Sequence, residues 1–390
     1  MTDAPPLSEV ISLLANLVQI NSVNTAYENG PGEGEIAHWI LARLRAQGIE
    51  TEVQEVFPGR PNVLAKVPGI DRSRCIIYEA HTDTVSIKGM TIPPFEPSIT
   101  NGLLHGRGSC DTKGGLAAML HAIEQLAASP NPPPVDVWFC AAVDEEFSFR
   151  GVVALCERLQ QPNSPAPIAA LVAEPTGMRP VIASKGVLRW RIRTRGVAAH
   201  SSKPHLGKNA ISMMARVIQS IEADGRELAR HPHPLLGAAT VNVGVIHGGV
   251  QVNFVPDECV IEVDRRLLPG ETAETTLSHY NTLLSSLTHI IPDFQFSMDA
   301  PMLVDSPLET QPDTDAVLHA SAVLSEAGRD GIPCGVPFGS DASKLAALGI
   351  PSLIIGPGDI DLAHTAAECV PIAEVEFASR FFLEYPRRFS

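Results

Sequence analysis

No stretch of this chain approaches the roughly 20 consecutive apolar residues that a membrane helix needs, and none of its cysteines stands in a Cys-x-x-Cys pair. The seven cysteines (Cys75, Cys110, Cys140, Cys156, Cys259, Cys334, Cys369) are scattered and odd in number. That fits neither a disulfide framework nor a thiolate zinc site, and predicts reduced thiols. Positive charge is short: 29 lysines and arginines against 44 acids leave a net −15, the wrong sign for a nucleic-acid partner. Met1 to Val10 has no basic stretch feeding an apolar core, so no export signal is read there and a cytoplasmic protein is expected. Two familiar signatures are missing as well. A serine hydrolase would carry Gly-x-Ser-x-Gly at a strand–helix elbow, and a P-loop would end in Gly-Lys-Ser/Thr; the chain has neither.

What remains is a folded protein of 390 residues, 44% hydrophobic and 19% charged, long enough for two domains. Leu7, Val10, Ile11, Leu14, Leu17 and Val18 recur at helical spacing, with Ser8 placed to cap them. A second helix is predicted over 33–47, stopped by Gly48, then strands near 50–57, 62–67 and 74–80. The Pro- and Gly-rich segment 92–108 reads as loop, and a helix starts after Asp111. Val135–Val143 has the look of a buried central strand, followed by a helix near 151–159 and a strand at 168–173. Strands alternating with helices imply βαβ units and a largely parallel sheet.

The rhythm changes after Gly186. Leu188, Trp190 and Ile192 alternate with Arg189, Arg191 and Arg193, as in a strand with one wet face. The order strand, helix, strand, strand, helix, strand over 186–298 is that of a split βαβ sandwich, inserted into the first domain. From Thr314 the α/β pattern resumes. The expectation is a discontinuous larger domain, 1–185 and 299–390, with a smaller insert, 186–298.

The chemistry sits at the predicted strand ends. A short apolar run (Ile76, Ile77, with Ala80) stops at His81-Thr-Asp83, and in an open α/β sheet ligands gather beyond the carboxyl ends of strands. Other segments end alike: Asp111 in a glycine-rich loop, Asp144-Glu145-Glu146 after Val143, Glu174-Pro-Thr after Ala173, and His364 after Ser352–Ile355. Alone, the acidic triplet reads as a solvated turn, and the glycines around Asp111 look like a phosphate cradle lacking its third glycine. Together, two imidazoles and several carboxylates in one crevice call for cations. They suit a pair of zinc-like ions with one carboxylate bridging, and a carboxylate left uncoordinated can take a proton from water.

The ordered set His81-Thr-Asp83, Gly106-Arg-Gly-x-x-Asp111-x-Lys-Gly-Gly115, Asp144-Glu-Glu146 and Glu174-Pro-Thr resembles the di-zinc metallopeptidases that include acetylornithine deacetylase, succinyl-diaminopimelate desuccinylase and glutamate carboxypeptidase. Further matching segments are Gly196-Val-Ala-Ala-His200-Ser-Ser, Gly207-Lys-Asn-Ala-Ile211, Asn253-Phe-Val-Pro256 to Asp264-Arg-Arg266, Gly339-Ser-Asp-Ala-Ser343 and the His364 segment. Ala80 departs from the glycine usual before the histidine. The resemblance implies a zinc-peptidase-like α/β domain, its mostly parallel sheet flanked by helices, with an inserted ferredoxin-like α+β lid and dimerisation domain.

It also implies roles. His81 and Glu174 would hold one divalent metal, Glu146 and His364 the other, with Asp111 bridging; the ions would be zinc, with cobalt possible. Asp83 would orient His81, and Glu145 would act as general base, then general acid, as a metal-bound hydroxide attacks an amide carbonyl. His200 would polarise that carbonyl in the partner subunit of a homodimer. Lys185, Asn253, Arg266, Gly339 and Ser340 would grip the substrate's carboxylate and amide, although Arg266 by itself also reads as a strand arginine on a wet face. The segments Glu174–Gly186 and Gly244–Gly249 look closest to acetylornithine deacetylases, which remove an acyl group from an N-acyl amino acid in arginine biosynthesis. A desuccinylase, a dipeptidase or carboxypeptidase of the same family, and a non-catalytic binding protein on this scaffold are the alternatives.

Overall fold

The structure, a computed structural model, describes residues 7–389; the part of the Met1–Val10 stretch before Leu7 lies outside them. Helix α1 (Glu9–Gln19) buries Val10, Ile11, Leu13, Leu14, Leu17 and Val18, the stripe its spacing predicts. Ser8 stands at its N-cap but does not cap it; the hydroxyl instead donates to Glu376 at 2.7 Å. Helix α2 (Gly34–Ala46) ends just before Gly48, which takes the left-handed φ of +73° that glycine adopts without strain.

Strands β1 (Glu50–Phe57), β2 (Arg60–Val67) and β3 (Asp71–His81) follow, then helix α3 (Lys113–Ala128), a strand at Val135–Ala142, helix α4 (Arg150–Leu159) and a strand at Ala166–Val172. Six of the nine strands of their sheet lie in the order β1, β2, Val135–Ala142, β3, Ala166–Val172, Ser352–Ile354. The first two pairings are antiparallel and the next three parallel. Val135–Ala142 is buried at every position, as a strand covered on both faces must be. Parallel neighbours point their carboxyl ends the same way, so His81, Asp144 and Glu174 leave one edge of the sheet.

The segment read as loop at 92–108 contains two short strands, Ser98–Thr100 and Leu103–His105, the latter pairing with Cys369–Pro371. The two pair with each other across Asn101-Gly102, both at positive φ, a hairpin turn that Asn-Gly favours. Only the further pairing with Cys369–Pro371, some 260 positions along the chain, has no local signal.

The chain forms two compact units: residues up to Ile182, Thr310–Cys334 and from Ser340 onward, and a smaller one of Ala183–Glu309 with Gly335–Gly339. The smaller unit has an antiparallel sheet ordered Thr240–Gly248, Glu258–Leu267, Gly186–Arg195, Phe296–Met298, with helices Ala210–Leu228 and Ala273–Ser285. Trp190 and Tyr280 sit at its core with ring centroids 5.1 Å apart. The wet face carries cross-strand pairs, Arg189 to Asp264 at 2.7 Å and Arg191 to Glu262 at 2.9 Å, which is why arginine recurs at every second position. Among the described residues no helix is long and apolar enough to cross a membrane.

Candidate metal centre

His81 ends β3 with its ring buried. Its Nδ1 lies 3.1 Å from the Asp83 carbonyl and 3.5 Å from the Asp83 carboxylate. Nδ1 therefore carries the proton, and Nε2 is left to face the other acids. Nε2 is 3.0 Å from Asp111 Oδ1 and 4.0 Å from Glu174. The second oxygen of Asp111 lies 3.1 Å from His364 Nε2, which is also 3.1 Å from Glu146. One carboxylate thus spans two imidazoles, each with a further glutamate beside it.

His81, Glu145 and Glu174 each offer an atom within 4.8 Å of the others, and so do His81, Asp111 and Glu146. The donors are nitrogen and oxygen only: the neighbouring Cys110 thiol turns away to the Asp359 carbonyl at 3.3 Å. This set fits a pair of borderline divalent cations. His364 holds a left-handed φ of 58° and its side chain is half exposed, so it forms the open rim of the cluster.

Asp83 ties the pieces together. Fully buried, it accepts from Glu145 N at 3.1 Å on one oxygen, and from Glu146 N at 3.1 Å and Asn24 Nδ2 at 2.8 Å on the other. Asn24 also reaches Asp144 at 3.0 Å, and behind it Arg60 bonds Asp144 at 3.2 Å and pairs with the buried Glu33. Neither Asn24 nor the Glu33–Arg60 pair is legible in the sequence, since nothing local marks them. On the other side, the Thr112 hydroxyl donates to the Ala173 carbonyl at 2.9 Å, locking the Asp111 loop to the strand end that carries Glu174.

The electrostatics ask for positive charge. Burial pushes the carboxyls of Glu145, Glu146 and Glu174 up; the negative charge of Asp111 adds to this at Glu146, which reaches about 7, and at Glu174. Burial would lower the His81 imidazole, but its hydrogen bonds with Asp111 and Asp83 outweigh that and hold it well above its ordinary value. Hydrogen bonds with Asp111 and Glu146 raise His364 to about 10. Without cations the cluster therefore keeps protons in their place.

The residues expected to grip the substrate are distributed differently. Ser340 belongs to the larger unit and is buried, its hydroxyl 3.3 Å from Ala342 N. Lys185, His200, Asn253, Arg266 and Gly339 belong to the smaller unit. There Lys185 donates to the Ala238 carbonyl at 2.5 Å, and Arg266 bonds Asp264 at 3.0 Å. Asn253 accepts from Ser201 N at 2.9 Å through its carbonyl. A Cβ on Gly339 would fall 2.0 Å from an Asp305 carboxylate oxygen, which would have to move aside. Exposed His200 accepts from Ser202 N on Nδ1 at 3.1 Å, which puts its proton on Nε2 and makes that edge a donor.

Comparison with known proteins places most of the chain beside hydrolases of amides. The chain is 31% identical over 347 residues to acetylornithine deacetylase of Myxococcus xanthus, covering 86% of each. It is 28% identical over 412 residues to N-formyl-4-amino-5-aminomethyl-2-methylpyrimidine deformylase of Bacillus subtilis, covering 97% of this chain and 93% of that one. Its fold matches the aminopeptidase PepT of Bacillus cereus with a TM-score of 0.80 at 23% identity, over 97% of both chains. Residues 77–388 match the family described as Peptidase family M20/M25/M40. On that match and on the caged carboxylates and imidazoles, this chain belongs to the M20/M25/M40 peptidase family, whose members hydrolyse amides.

Proposed function

We propose that this protein is a metal-dependent deacylase that removes a small acyl group from an N-acyl amino acid, as an acetylornithine deacetylase does. The observation that carries the reading is Asp111, one oxygen toward His81 and the other toward His364, with Glu145 beside them. His81 and Glu174 would hold one ion, Glu146 and His364 the other, with Asp111 shared; zinc suits the donors, and cobalt is compatible with them. When bound, such ions polarise a carbonyl and make water acidic.

The chain's own groups supply the rest. Glu145 is held by its backbone bond to Asp83, and its carboxylate suits accepting a proton from water and returning it to the leaving amine. The donor edge of His200 suits a developing oxyanion, contributed from the partner subunit of a homodimer. Lys185, Asn253, Arg266, Gly339 and Ser340 would hold the amino-acid carboxylate and the amide. A small acyl group is favoured because the two curated relatives above are named for removing acetyl and formyl groups.

The test is turnover of metal-loaded protein on N-acetyl-ornithine, N-succinyl-diaminopimelate, other N-acyl amino acids, the N-formyl aminopyrimidine and dipeptides. Acetyl and formyl substrates are expected to lead. Inactivity on all would refute hydrolysis, and preference for dipeptides would make it a peptidase. Glu145→Gln should abolish turnover with metal content unchanged; retained turnover would remove Glu145 from its role.

A further inference from the structure

The glycine-rich loop before Asp111 has the shape of an anion cradle, and the chain fills it with its own side chain. Glu368 is fully buried. One of its oxygens accepts from Cys110 N and Asp111 N, each at 3.0 Å; the other accepts from Gly108 N at 3.0 Å and Arg107 Nη1 at 2.6 Å. The backbone closes the same contact, Gly106 N donating to the Glu368 carbonyl at 3.1 Å. Successive backbone amides converging on one carboxylate make a nest, and such bonds to a charged acceptor are stronger than neutral ones. Gly108 takes φ +80° to turn its amide inward, a conformation that favours glycine.

Glu368 lies four residues after His364 on the same segment. It therefore grips the loop that carries Asp111 from the segment that carries His364, and these two side chains meet at 3.1 Å. We propose that Glu368 is a positioning residue: its carboxylate, clamped by the amides of residues 108, 110 and 111, sets the separation of Asp111 and His364 and so preforms the cage for divalent cations. The inference rests on the reading of the cluster as a metal centre.

In Glu368→Gln the side-chain amide must turn its NH2 toward two of the four donors, so half the clamp is lost while the volume stays. Glu368→Asp keeps the charge beside buried Arg107, which protects folding, but withdraws the carboxylate from the amides by one methylene. Metal-stripped wild type and both variants are titrated with Zn2+ against a chromophoric chelator, and amide hydrogen exchange is measured over the 108–111 segment. Glu368→Gln is expected to bind the cations about 10- to 100-fold more weakly, the range for losing a partner that orients a ligand. Glu368→Asp should show a smaller loss in the same direction, both with faster exchange at 108–111 and a fall in kcat larger than any change in KM. If either variant binds Zn2+ as wild type does, with only its thermal stability reduced, Glu368 is merely structural and the proposal is overturned. Wild type that takes up no Zn2+ would instead refute the metal centre, and this inference with it.

Discussion

Stripping the cations should invert how stability depends on pH. Glu146 has a buried side chain, 8% exposed, and burial together with Asp111 raises its carboxyl from 4.5 to about 7. Between those values the metal-free folded chain holds a proton that the unfolded chain has released, so stability falls as pH rises through that window. At about 1.4 kcal/mol for each pH unit, Glu146 contributes a loss of about 3 kcal/mol. Glu174 and Glu145, also raised, act in the same direction. His364, raised from 6.5 to about 10, extends the loss: its contribution is full below 6.5 and disappears toward 10. Cations reverse the sign, because the ligands must shed these protons to bind. At about 100 times the dissociation constant a bound ion adds about 2.7 kcal/mol per site. The assay is urea unfolding of stripped and Zn2+-loaded protein between about pH 5 and pH 8, with calorimetric titration in two buffers to count released protons. Stripped protein should weaken as pH rises, and loaded protein should gain. Stripped protein that strengthened from pH 5 to 7, or Zn2+ binding whose heat was independent of the buffer, would refute the reasoning.

Three further outcomes are expected. Asp83→Asn must face an amide NH2 toward the Glu145 or Glu146 amide, so Zn2+ affinity should drop about 10- to 100-fold with a stability loss of about 1–3 kcal/mol; unchanged Zn2+ affinity by chelator competition would reject Asp83 as the orienting group. Gly115→Ala puts a Cβ 2.6 Å from the Ala173 Cβ, and this overpacking, about 1–3 kcal/mol, should outweigh the ~1 kcal/mol helix-propensity gain; a higher unfolding midpoint would contradict it. Trp190→Ala empties the core of the smaller unit and should cost about 3–5 kcal/mol there, while Zn2+ still binds; concurrent loss of Zn2+ binding would mean that the cage depends on that core.

Part of the carboxylate and imidazole cluster is legible because His81, Asp144 and Glu174 stand at or just past strand ends. Such ends have a local signature, apolar residues giving way to a ligating side chain, as at Ala80-His81 and Ala173-Glu174; Asp111 and His364 sit in loops that lack it. Parallel pairing then carries those ends to one edge without any further instruction. The wet face of Gly186–Arg195 was legible for a similar reason, since a period of two in the sequence is a period of two in the strand.

What escaped the sequence is the support behind the ligands. Asn24, Glu33 and Arg60 come from a loop, a helix entrance and a strand start whose own neighbourhoods are ordinary. Glu368 is one acid in a segment whose local signal is His364, and the pairing of Leu103–His105 with Cys369–Pro371 joins segments with no common local pattern. Composition and periodicity decided that this chain would build a mostly parallel sheet with charged strand ends, because side-chain burial follows backbone period residue by residue. Which oxygen faces which nitrogen, and which buried acid holds the Asp111 loop, depended on contacts between residues hundreds of positions apart, and only the closed tertiary structure decides those.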